Sequence, residues 1–205
     1  MTGAELRVIL DHALELMAKN EDELRDLDSA IGDGDLGITV SRGAEAARKS
    51  IAALPPAAMP AEIIRAFATT IASANPSSFS ALVATGLLAA ARAVAASESL
   101  TAADVLTMAQ QAIAAIAKRG KAEVGDKTVL DALVPSVAAL EANPPDRALD
   151  AMIAAARKGI DDTAGGVSRK GRAAWLGERT IGHPDPGATA YLRFLEALQE
   201  AWVRH

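Results

Sequence analysis

Apolar residues recur every three to four positions over long stretches of this chain. Leu6, Ile9, Leu10, Ala13, Leu14 and Met17 form the first stripe and predict a helix over residues 3–19. The same spacing predicts helices over about Ile38–Ala53, Ala61–Ser73, Phe79–Ala96, Ala102–Lys118, Lys127–Glu141 and Asp146–Thr163. A last helix runs from Asp185-Pro186 to near Arg204. Pro55-Pro56, Asn75-Pro76-Ser77-Ser78 and Asn143-Pro144-Pro145 punctuate the pattern. Thr101 and Asp126 are placed to cap helices, and Asp185 followed by Pro186 is the favoured start of one. Strand-like alternation is absent. The expected fold is all-α, with eight helices.

The segments between these stripes are uneven in character. Residues 22–37 read as an acidic, glycine-bearing loop, 118–126 as a short basic one, and 164–187 as a long charged connection. In an up-and-down bundle, loops two connections apart lie at the same end. These segments and the Asn75–Ser78 break are therefore expected to converge at one pole.

Composition narrows the chemistry. The 205 residues suit a single domain spanning 1–205, and half are hydrophobic while only 3% are aromatic. Alanine-rich apolar content favours closely packed helices. A net charge of −5 gives no nucleic-acid signature. No cysteine is present, so thiolate nucleophiles and thiolate metal sites are excluded. The N-terminus lacks the basic and apolar regions of a signal peptide, and no apolar run is long enough to span a bilayer. A cytoplasmic location without membrane partners is expected.

Gly32-Asp33-Gly34-Asp35-Leu36-Gly37 satisfies G-x-G-x-x-G letter for letter. That fingerprint needs a preceding strand and an acid some twenty residues on, and neither is present. Nor do the positions from Asp28 or Asp33 supply an EF-hand ligand set. Asp28, Asp33 and Asp35 instead offer three carboxylates suited to Mg²⁺, which favours a few carboxylates, waters and substrate phosphates. Three acids fit two ions clamping a polyphosphate better than one. An ordinary solvated acidic turn has the same composition.

Two other segments point the same way. Ser77 and Ser78 stand at a predicted helix N-terminus, an anion site in principle, though taken alone plain capping by either serine is the better account. Arg169, Lys170, Arg172 and Arg179 crowd one loop; arginine suits phosphate because its guanidinium is a planar fork. Together these features suggest a magnesium–nucleotide site without a P-loop.

The stretches "LDSAIGDGDLG" (27–37), "GKAEVGDKTVLDALVP" (120–135) and "KGRAAWLGERTIGHPDPGA" (170–188) resemble the three signature blocks of the L subunit of dihydroxyacetone kinase. The resemblance implies an eight-helix antiparallel barrel with a nucleotide at one pole. It implies that Asp28, Asp33 and Asp35 bind two Mg²⁺ ions. It places contacts to ADP or ATP at Leu36, Gly37, Ile38, Thr39, Ser77 and Ser78. Further contacts fall at Gly120 and Val129 around the adenine, at Arg172 on the phosphates, and at Asp185, Pro186 and Gly187. Arg172 is also the catalytic candidate, offsetting charge on the transferring phosphoryl group.

In that family a separate K subunit holds dihydroxyacetone through a histidine of its own. A phosphotransferase-system subunit rephosphorylates bound ADP in one version, and ATP exchanges in the other. A homodimer is plausible by the same analogy. The sequence departs from the pattern at Leu36, where the family has His, and at Asn75–Ser80, where it has a glycine-rich stretch. A different class of role is a regulatory nucleotide-binding domain, or the donor domain of a fatty-acid-type kinase with a lipid-carrier partner.

Overall fold

The computed structural model describes residues 1–204. Among them are nine α-helices: α1 (Gly3–Ala18), α2 (Glu21–Ile31), α3 (Leu36–Ala52), α4 (Pro60–Ala74), α5 (Ser78–Ala93), α6 (Ala102–Gly120), α7 (Leu130–Ala142), α8 (Pro145–Ala164) and α9 (Pro186–Val203). A 3-10 segment over Ala173–Thr180 kinks at Gly177. The described residues contain no named strand, only an isolated antiparallel bridge between Thr2 and Ser99. None of the helices is long and apolar enough to cross a membrane.

Eight helices close a ring. Helix α1 packs on α3, each helix from α3 packs on its successor, and α9 returns to α1. The predicted stripe of α1 is its buried face, with Ala13 and Leu14 almost fully enclosed. Alanines such as Ala47, Ala61, Ala68 and Ala91 are equally buried, which lets neighbouring helices approach closely. The largest apolar cluster draws on α1, α3, α4, α5 and α9. Smaller clusters join α7, α8 and α9, and α6 with α7.

Three expectations are corrected. Residues 22–37 are not one loop: Glu21–Ile31 form α2, which lies outside the ring against α3 and α9. Its apolar period was present in Leu24, Leu27 and Ile31, and Leu24 and Ile31 are buried. Helix α7 begins at Leu130 rather than Lys127, because Lys127 has φ +60°, outside helical space. Asp126 accordingly caps no helix; its carboxylate accepts from the Glu123 N–H.

Candidate functional site: a cavity at one pole

The N-termini of α3, α5, α7 and α9 and the C-terminus of α6 open into one cavity of about 850 Å³. Successive ring helices therefore alternate in direction, and the glycine-bearing, acidic and basic segments converge at this pole as alternation predicted. Four helix N-termini aimed at one space present backbone N–H groups and positive dipole ends to it. The Asp35 and Val129 N-caps of α3 and α7 make no side-chain capping bond.

Asp28, Asp33 and Asp35 stand at this pole, each offering one carboxylate oxygen within 4.8 Å of the others. Asp28 projects from α2, while Asp33 and Asp35 come from the turn into α3. Gly34 holds that turn at φ +75°, a conformation side chains resist, and a Cβ there would press on the Ser29 hydroxyl. The Leu36 N–H donates to Asp28 Oδ2 at 3.3 Å, tying the two segments together. Helix α2 itself is held close because Gly37 lets α3 meet the Glu21 carbonyl, which a Cβ would strike. Partial burial, and then the charge of Asp28, push the Asp35 carboxyl above its ordinary pKa. The cluster is thus an accumulation of negative charge. Arg172, at the start of the 3-10 segment, pairs with Asp33 and lies 3.9 Å from Asp35.

Away from this charge the wall is apolar: Phe79, Leu82, Ile116, Ala122, Val129 and Leu130. At the α5 start, Ser77 and Ser80 cap reciprocally: the Ser80 N–H donates to Ser77 Oγ at 3.1 Å, and the Ser77 N–H to Ser80 Oγ at 2.8 Å. Asp185 caps α9 through the Ala188 N–H at 2.7 Å. It lines the cavity, and its carboxyl is pushed up to about 7, chiefly by burial and also by the charge of Asp131. The Ala188 N–H and the Lys127 charge oppose that rise.

Residues 30–200 match the family model described as the DAK2 domain. The chain belongs to that family. It is 35% identical over 189 residues to the ADP-binding subunit DhaL of PEP-dependent dihydroxyacetone kinase 1 of Listeria innocua, covering 92% of this chain and 91% of that one. Identity to the corresponding subunit of Escherichia coli is 32%, covering 90% of each. The L-erythrulose 1-kinase of Mycolicibacterium smegmatis is 31% identical over 96% of this chain, which matches 35% of that longer protein. The dihydroxyacetone kinase of C. freundii, solved in complex with AMP-PNP and Mg²⁺, superposes with a TM-score of 0.76 at 24% identity. That match covers 95% of this chain and 33% of the other, and it shares the fold.

Most of the expected site residues of this DAK2 chain line the cavity. They are Asp28, Asp33, Asp35, Leu36, Ser77, Ser78, Gly120, Val129, Arg172, Asp185, Pro186 and Gly187. Gly37, Ile38 and Thr39 do not. Gly37 faces α2, and Thr39 is buried, accepting a 2.7 Å hydrogen bond from Asn75 Nδ2. Leu36 is buried with the core. Of the basic loop, Lys170 and Arg172 reach the cavity; Arg169, Arg179 and His183 are not among its lining. Phe79, Leu82, Ile116, Arg119, Ala122, Lys127 and Leu130 were not anticipated there. The apolar ones carry the same period as core residues, so spacing alone cannot separate the two roles.

Proposed function

We propose that this chain is the phosphoryl-donor subunit of a small-ketose kinase. It binds ADP or ATP with magnesium and delivers a phosphoryl group to a ketose such as dihydroxyacetone, held by a separate K-type subunit. The observation that carries the proposal is the carboxylate cluster and Arg172 at the mouth of a cavity whose inner wall is apolar. The names of relatives matched over nine-tenths of their length, ADP-binding subunits of dihydroxyacetone kinases, support it. Their dependence on PEP favours resident ADP, recharged by a phosphotransferase-system subunit, over exchanging ATP.

The donor set fits magnesium. Three carboxylates gathered at the α2–α3 junction are hard oxygen ligands, and burial together with the charge of Asp28, which raises the Asp35 pKa, is a strain that a cation would relieve. Asp28, Asp33 and Asp35 would hold two ions, which supply charge neutralisation along the phosphates. The rest of the chemistry belongs to the chain's own groups. The fork of Arg172 offsets charge on the transferring phosphoryl group. The α5 N-terminus beside Ser77 offers the Ser78 N–H to phosphate oxygens. Phe79, Leu82, Ile116 and Val129 enclose the base, and Asp185 to Gly187 form the opposite edge.

The test is a phosphoryl-transfer assay on dihydroxyacetone and L-erythrulose, with and without a K-type subunit. ATP is compared with a PEP-driven donor chain. Product that requires both subunits supports the proposal; no product with any donor, in a chain that is folded, contradicts it.

A further inference from the structure

Lys127 is only 2% exposed, yet its ammonium has no carboxylate within ion-pair distance among the described residues. Its three N–H bonds go to backbone carbonyls: Ala164 at 2.9 Å, Gly166 at 2.8 Å and Thr180 at 2.6 Å. Burial lowers its pKa, and the charge of Asp185 partly restores it. Its backbone sits at φ +60°, where Gly or Asn is the easier choice. Both the burial of a charge and the backbone conformation are costly. Something at this position requires a long cationic side chain.

The three carbonyls explain it. Ala164 is the last residue of α8, at the negative end of that helix, and Thr180 ends the 3-10 segment. They are the two feet of the connection that carries Lys170 and Arg172 to the cavity. The same neck is closed by the Gly182 N–H on the Ala164 carbonyl at 2.9 Å and the Ser168 N–H on Thr180 Oγ1 at 2.9 Å. Above the neck, the Arg169 N–H donates to the Asp126 carbonyl at 3.0 Å, and Lys170 lies 3.5 Å from the Asp126 carboxylate. The loop is therefore docked onto residues 126–127. Beyond these ties it meets α2 and pairs through Arg172 with Asp33, while Trp175 is 87% exposed.

We propose that Lys127 is a positioning residue for Arg172. It clamps the neck of the arginine loop and so fixes where the guanidinium stands, without itself binding the nucleotide. This rests on the donor role proposed above for the cavity. The cost of burying the ammonium is offset by added order in a loop otherwise held mainly by exposed or single ties.

The experiment compares Lys127→Met, Arg172→Met and the double variant in the full chain. Three readouts are used: ADP affinity with Mg²⁺, adenosine affinity, and tryptic cleavage mapped to Arg169, Lys170, Arg172 or Arg179 against cleavage at Arg119. Lys127→Met should speed loop cleavage by at least about tenfold, the scale of losing even one of its three charge-assisted bonds, while cleavage at Arg119 is unchanged. Its ADP affinity should fall to that of Arg172→Met. The double variant should be no worse than either single one, and adenosine affinity should not move. Losses that add in the double variant, or unchanged loop cleavage, would overturn the proposal.

Should Lys127→Met fail to fold, Thr180→Val, which removes the Ser168 tie at the same neck, carries the test. It should raise loop cleavage and weaken ADP, and no change in either counts against the clamp. A wild-type chain that binds no ADP would instead defeat the donor role, while the cleavage comparison would still decide the clamp.

Discussion

The two ends of the ring differ in what their helix starts face and in how charge is arranged around them. At the far end each start is closed locally. Thr2 with Glu5 and Thr101 with Asp104 form capping boxes, and Glu62 reaches back to the Met59 N–H. Pro145 opens α8, where a proline has no N–H to satisfy. Met1 and Leu100, at the start of the segment leading into α6, also exchange backbone hydrogen bonds there. At the cavity end Ser77 and Asp185 cap α5 and α9, the N-cap side chains of α3 and α7 make no such bond, and like charges are gathered rather than spread. One pole is closed by local ties, while the other gathers carboxylates around a cavity.

The strongest test of that contrast is Asp33→Asn. It should weaken Mg²⁺-dependent ADP binding on the order of 100-fold, at the upper end of what even outer-shell metal-site changes cost. Thermal stability should move by under about 1 kcal/mol, since the lost half-exposed pair with Arg172 is offset by the repulsion relieved. A large loss of stability with affinity intact would reverse the assignment of the two poles.

Next is the pH dependence. The Asp185 carboxyl titrates near 7 when folded, against an ordinary 3.8, so the folded chain keeps its proton longer. Its contribution is present below about pH 4 and is lost as pH rises through 7. Asp185→Asn retains a capping side chain but cannot titrate. Wild-type stability should thus decline relative to the variant between pH 4 and 7 in denaturant titrations; parallel curves would refute the raised pKa.

Thr101→Ala at the far pole should cost about 1 kcal/mol of stability through the lost cap, and leave ADP affinity alone. Smallest is Arg193→Met. Arg193 joins α9 to Glu23 of α2 and to Glu196, but these groups are partly exposed. Its loss should cost under about 1 kcal/mol, less in high salt. A cost of several kcal/mol would mean that α2 hangs on this pair rather than on Leu24 and Ile31.

The contrast also accounts for what the sequence could reveal. Far-pole starts such as Thr101 and the main helices follow from period and caps within a few residues of each other. The three aspartates were visible because they lie within eight positions. Helix α2 was obscured because its acids and the glycines after it outweighed an apolar period of only three residues. The apolar cavity wall was illegible because Leu82 and Ile116 obey the same spacing as the core. Lys127 gave no local signal at all, since its acceptors lie 37 to 53 positions away.

The central claim is that the carboxylate cluster holds a nucleotide through magnesium. Calorimetric titration of ADP into the wild-type chain, once with Mg²⁺ and once with EDTA, tests it directly. Binding with Mg²⁺ that disappears in EDTA is the predicted result; equal binding in both buffers, or none in either, would contradict it.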